Sequence, residues 1–179
     1  MSGHSKNSSL IITDSYIQIG GKKYHIECQS TTDGTMIIRM FEYDSQIAID
    51  SAEIDGNLLT VKFPNSAVLY LRSNSITPDI MQVQIETPGG SISYDVHVIK
   101  INNYTIDDIF DKELYFYIPF YIFTFEPSFG IIEKDKERLE QLKDQYNDIV
   151  HRLEKACKAG KITEYQKRTI LDISSIVLD

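Results

Sequence analysis

The stretch from Asp14 to Gln29, D-S-Y-I-Q-I-G-G-K-K-Y-H-I-E-C-Q, constrains the fold of this chain most. Two alternating runs, Ser15–Ile19 and Tyr24–Gln29, flank Gly20–Gly21, a strong short-range signal for a β-hairpin. A two-residue glycine turn sets Ile19 opposite Lys22 and therefore Asp14 opposite Glu27. Directly opposed residues share a face, with Cβ atoms roughly 4.5–5.5 Å apart. Gln29, two residues beyond Glu27, falls on that face too. Opposed carboxylates repel unless a cation neutralises them, and a divalent metal with oxygen ligands is the usual remedy. A four-residue turn would keep the three side chains together, whereas a three-residue turn would move Asp14 to the other face. Along the second strand, Tyr24, Ile26 and Cys28 read as the core face, and His25, Glu27 and Gln29 as the site face.

The remainder reads as a mixed α/β (α+β) chain. Asp33 or Thr35 caps a helix running from Met36 to Ala48, whose apolar residues Met36, Ile37, Met40, Phe41, Ile47 and Ala48 keep a helical period. Arg39, Tyr43 and Gln46 share another face, either a solvated stripe or a wall of the site. Glu53–Asn57 reads as a turn and Leu58–Phe63 as a strand. Ala67–Leu71 reads as the buried parallel strand that a crossover helix implies. A second hairpin turns at Pro88–Gly89. It pairs Ile85 with Ile92, Val83 with Tyr94 and Met81 with Val96 on one packed face, and leaves His97 on the wet one. Tyr104–Asp111 reads as a helix capped by Thr105. Leu114–Phe125 contains seven aromatics but is too short to span a bilayer, so it reads as a buried segment or a subunit interface. Leu139, Leu142, Tyr146, Ile149, Leu153 and Ala156 form a short heptad seam. Gly160 ends that helix, and a second helix carries Tyr165, Ile170, Ile173 and Val177. The pair reads as a helical hairpin, with a dimerising coiled coil as the runner-up. The domain reading is a lead-in over 1–9, a core over 10–125 and a helical hairpin over 126–179.

Net charge narrows the partners. Of the formal −8, residues 1–125 carry 8 Lys/Arg against 15 Asp/Glu, net −7. A half so acidic does not grip nucleic acid tightly through a broad basic face; any such contact is local. Two cysteines do not make a disulfide framework, no secretory signal is legible, and a reducing cytoplasm is the expected setting. No apolar run reaches the roughly eighteen residues of a membrane helix.

The stretch from Asp14 through Asp44 resembles the recombination-promoting nuclease (Rpn, YhgA-like) family and the related PD-(D/E)XK nuclease family transposases. Those share an aspartate, a hairpin, E-x-Q-S/T and a helix bearing R-x-x-x-Y. The matching positions here are Asp14, Glu27, Gln29, Ser30, Thr31, Arg39 and Tyr43. The resemblance implies a restriction-endonuclease-like core with a mixed sheet and crossover helix, and Mg²⁺- (or Mn²⁺-) dependent DNA cleavage linked to mobile elements. It implies metal ligands at Asp14 and Glu27, and Gln29 where lysine is usual. The backbone carbonyl of Cys28 adds a candidate metal ligand, and Arg39 is the nearby cation. Such folds begin with a helix that often supplies an acid. Met1–Ser9 contain none, so the chain is expected to be a shortened or truncated member. The alternative is a catalytically inactive nuclease-fold remnant that oligomerises or binds a partner, with a homodimer formed through the C-terminal helices or the aromatic segment.

Overall fold

The computed structural model describes residues 15–19, 21–31, 33–132 and 135–178. Asp14, which carries half of the expected metal site, lies outside them, as do Gly20 and the lead-in. Two compact units divide the chain: residues up to Tyr70 together with Ser75–Ile99, and Leu71–Asn74 together with Lys100 onward. The chain is a mixed α/β protein.

Among the described residues, the first unit is a five-stranded sheet, ordered β1-β2-β5-β7-β6, with one helix. Its strands are β1 (Ser15–Ile19), β2 (Lys22–Gln29), β5 (Asn65–Tyr70), β6 (Ile80–Thr87) and β7 (Gly90–Lys100). A small separate hairpin joins β3 (Glu53–Asp55) to β4 (Leu58–Thr60). Strands β1 and β2 pair antiparallel with Ile19 opposite Lys22 and Ser15 opposite Ile26, the register that a two-residue glycine turn dictates. Gly21 takes φ +78°, a conformation that side-chain-bearing residues rarely adopt. Strand β5 lies parallel to β2, His25 beside Ser66, Glu27 beside Val68 and Gln29 beside Tyr70. The helix α1 (Met36–Asp50) supplies the crossover. Thr35 is its N-cap residue, and the Asp33 carboxylate accepts from the Thr35 backbone N–H at 2.7 Å and hydroxyl at 2.8 Å. Strands β6 and β7 pair as the Pro88–Gly89 turn requires, with Val83 opposite Tyr94 and Met81 opposite Val96, and His97 is exposed.

Two local readings change. Residues 53–55 are a strand rather than a turn, and β4 stops at Thr60 rather than Phe63. A tight Gly56–Asn57 reversal, with Gly56 at φ +57°, folds this segment back on itself as an exposed hairpin. The faces of β2 are also inverted relative to expectation. His25 and Glu27 are buried, while Tyr24, Ile26 and Cys28 are only half-buried. The cause is α1. Its Met36 and Met40 pack with Val68, Tyr70 and Val96, so the helix covers the sheet face that carries His25 and Glu27.

In the second unit, α2 (Ile106–Asp111) starts with a reciprocal cap. The Thr105 hydroxyl accepts from the Asp108 N–H, and the Asp108 carboxylate accepts from the Thr105 N–H. Hydrogen bonding from the Thr105 hydroxyl, then from Lys112 and the Thr105 backbone, pulls the Asp108 carboxyl down to about 2. A depressed carboxylate stabilises the fold above its unfolded value, near 3.8, and that contribution is lost as pH falls through about 2. The stability difference between the parent protein and Asp108→Asn is therefore expected to be constant above pH 5 and to shrink between pH 4 and 2. Urea titrations across that range measure it, and a difference that does not shrink rules out the linkage.

The aromatic run forms a 3-10 helix, Tyr115–Thr124, with Tyr115, Ile118, Pro119 and Ile122 buried. It is followed by a short 3-10 turn at Glu126–Ser128 and by α3 (Phe129–Ile132), α4 (Lys136–Lys158) and α5 (Glu164–Leu178). Ile109, Tyr115 and Ile118 form one core with Ile149, Leu153, Ala156, Ile162 and Ile170. The aromatic segment thus packs with the C-terminal helices, whereas the sequence reading grouped it with residues 10–125. Arg152 of α4 lies over the Phe110 ring at 4.2 Å and reaches Asp107 at 2.6 Å. Gly160, at φ +73°, ends α4 as expected. In α5, Ile170 is buried and Ile173 half-buried, but Tyr165 is exposed. Among the described residues, no helix is long and apolar enough to cross a membrane.

Candidate functional site

The crossover helix brings three residues of the sequence motif together. Arg39, one turn into α1, places Nη2 3.7 Å from Oε2 of Glu27 on β2. Tyr43, one turn further, sets its ring edge-on to His25, with centroids 5.8 Å apart. Residues four apart on a helix share a face, so the R-x-x-x-Y spacing aims both side chains at β2. Glu27 is 1% exposed and Arg39 37%. The arginine therefore bridges a buried carboxylate and the solvent. Gln46, the third residue of that stripe, donates instead to Asp50 of its own helix at 2.7 Å. Gln29 is half-buried and, by strand alternation, shares the Glu27 face.

Beside Glu27 lies a buried polar cluster with no counterpart among the expected site residues. His25 Nε2 is 3.0 Å from Glu27 Oε1, and its Nδ1 is 2.7 Å from Asp44 Oδ1. Asp44 also accepts from the Ser66 hydroxyl of β5 at 2.7 Å, and its other oxygen accepts from the Tyr94 hydroxyl of β7 at 3.3 Å. Neither His25 nor Asp44 is exposed. Burial alone would lower the imidazole pKa. The hydrogen bonds and negative charges of Asp44 and Glu27 outweigh it and hold His25 above its ordinary 6.5. A carboxylate thus faces each ring nitrogen, an arrangement that favours the protonated form of the ring. Burial by the phenol's surroundings, and then the charge of Asp44, push the Tyr94 hydroxyl far above its usual value, so it remains a neutral donor.

The oxygen donors of Glu27 and Gln29 on one strand face suit a hard cation such as Mg²⁺. Among the described residues, however, no three His, Cys, Asp or Glu side chains are grouped to hold a metal. His25, the third such group beside Glu27 and Asp44, turns both nitrogens onto carboxylates instead. Of the two carboxylates that the sequence reading pairs, Glu27 is among the described residues and Asp14 lies outside them. Cys28 is half-buried on the opposite face of β2.

No family model, no curated protein and no solved structure matches this chain.

Proposed function

We propose that this chain is a Mg²⁺-dependent endonuclease acting on DNA, built on a restriction-endonuclease-like core. The observation that carries the reading is the convergence of Glu27, Arg39 and Tyr43 from a strand and a helix onto one spot. Arg39 lies 12 residues beyond Glu27 in the chain, yet it arrives within ion-pair range of that carboxylate. A hairpin, a crossover helix and a parallel strand in succession support this reading.

In this reading Asp14, Glu27 and the Cys28 carbonyl hold the metal. Bound there, Mg²⁺ supplies a polarised phosphoryl oxygen and an acidified water. Gln29 is neutral and orients that water through its amide. Arg39, held near Glu27 but partly in solvent, supplies positive charge where negative charge develops on the phosphoryl oxygens. Tyr43 covers the outer edge of His25 and shields the buried ion cluster from water. The acidic core limits DNA contact to this local grip.

Supercoiled plasmid incubated with Mg²⁺ or Mn²⁺ is expected to be nicked, and chelation is expected to stop it. Asp14→Asn and Glu27→Gln are each expected to reduce nicking about 100-fold or more, an effect of roughly 2.7 kcal/mol on the barrier. Metal-independent nicking, or full activity in both variants, would overturn the reading. One observation favours the inactive alternative. Glu27 is faced by both His25 and Arg39, and Asp44 by His25, so each of these carboxylates already has a basic partner. A folded protein that nicks neither DNA nor RNA with either metal would establish that alternative.

A further inference from the structure

We propose that β6 is a docking edge for a second copy of this chain, the two β6 strands pairing antiparallel across a two-fold axis at Val83. The strand ends the five-stranded sheet, and among the described residues no strand pairs with its outer side. The Val98 N–H donates to the Asp79 carbonyl at 3.2 Å, and the register runs unbroken from Ile80 opposite His97 to Thr87 opposite Gly90. Antiparallel bonding alternates along a strand. The odd-numbered residues of β6 therefore bond to β7, and Ile80, Gln82, Gln84 and Glu86 turn their backbone N–H and C=O outward. All four are exposed. Natural sheet edges are blunted by lysine, proline, a bulge or short length. This edge is eight residues long, has no lysine, proline or bulge, and carries a single charge, Glu86.

The sequence of β6 is complementary to itself. With Val83 opposite Val83 of the second copy, Met81 meets Ile85 on the apolar face and Gln82 meets Gln84, amide against amide, on the wet face. Glu86 meets Ile80, so no like charges are opposed. Every outward residue of one copy then faces an outward residue of the other. Pro78 and Pro88 bracket the strand at even-numbered positions. A slide of two residues either way sets a proline, which has no N–H, against Glu86 or Ile80, so this register is the one that uses the whole edge. The axis stands perpendicular to the sheet and keeps both copies of α1 on one face. Phe41 of α1 stacks on Phe63 at 6.4 Å and Phe63 packs on Tyr94 of β7 at 5.4 Å, whereas Arg39 and Tyr43 reach β2. Towards β7 and β6 the helix thus presents Phe41, with Ile38 one turn before it, both apolar and exposed. Pairing sets these two apolar flanks facing each other across the axis and leaves Arg39 of each copy on the far side.

Sedimentation equilibrium of the full chain reads the association. The parent protein is expected to pass from one to two times 20.5 kDa as its concentration rises, and no further, because a two-fold contact closes on itself. Gln84→Pro removes an outward N–H from each copy and no bond to β7. It is expected to raise the dissociation constant about 10- to 100-fold. Gln82→Lys combined with Gln84→Lys sets lysines opposite each other on an exposed face and is expected to abolish the dimer. This double variant decides the matter if circular dichroism shows that Gln84→Pro does not fold. Hydrogen exchange on the parent protein gives a reading that needs no variant. The amides of Ile80, Gln82, Gln84 and Glu86 are expected to exchange more slowly at high protein concentration than at low. A parent protein that stays monomeric at millimolar concentration overturns the proposal. So does a dimer that the folded variants retain unweakened, which would place the contact elsewhere in the chain, or exchange at these four amides that does not change with concentration.

Discussion

Asp44→Ala is expected to lower stability by about 3–5 kcal/mol. The substitution removes the acceptor of three groups at once: His25 Nδ1, the Ser66 hydroxyl and the Tyr94 hydroxyl. It leaves the His25 ring buried with one carboxylate partner instead of two and creates a small void under α1. Removing one partner of a buried ion pair is much more damaging than replacing the whole set, because the desolvated group that remains has no compensation. Ser66→Ala provides the contrast. It deletes one hydroxyl and leaves Asp44 with two other donors, so it is expected to cost only about 0.5–1.5 kcal/mol. Equilibrium urea unfolding of both variants measures the two losses. Equal, small losses would mean that Asp44 is not the hub of this cluster in solution.

The hairpin was legible because its determinants are local. Two glycines between alternating runs fix the register, and the register fixes which residues face each other. The parallel strand followed from a helix too long to be a hairpin loop. Alternation alone could not tell which face of β2 is buried. His25 and Glu27 look like a wet face by residue type, and Tyr24, Ile26 and Cys28 look like a core. The outcome depended on where α1 lands, which is a tertiary fact. Asp44 was missed for a related reason. The buried stripe of α1 runs Met36, Met40, Asp44, Ile47, and reading only its apolar members leaves a gap at the third position. A charged residue in phase with an apolar stripe is the signal that would have found it. It predicts a buried partner, and His25 on the preceding strand is the nearest residue able to supply one. Ser66 and Tyr94 carried no comparable mark, because a serine at the start of a strand and a tyrosine on a packed face are ordinary.

The C-terminal helices offer the second large effect and decide between two readings of the heptad seam. A dimeric coiled coil would use the seam along its whole length, so Leu139 and Leu153 would matter about equally. The fold gives them different roles. Leu153 is fully buried, with Ile149 and Ala156, against Ile109, Tyr115 and Ile118, while Leu139 is 37% exposed. Leu153→Ala removes well-packed methyl groups from a core that draws on the aromatic 3-10 helix, α2 and both long helices. It is expected to cost about 2–5 kcal/mol, with the upper end applying if the site does not collapse. Leu139→Ala, at the solvated end of the seam, is expected to cost less than about 1 kcal/mol. Urea unfolding followed by tyrosine fluorescence and circular dichroism reads both, and sedimentation at several protein concentrations reads the mass. Intramolecular packing predicts a large gap between the two variants and a cost for Leu153→Ala that does not depend on protein concentration. Comparable losses that grow on dilution would instead assign the seam to a second copy of the chain, since only an intermolecular core is weakened by mass action.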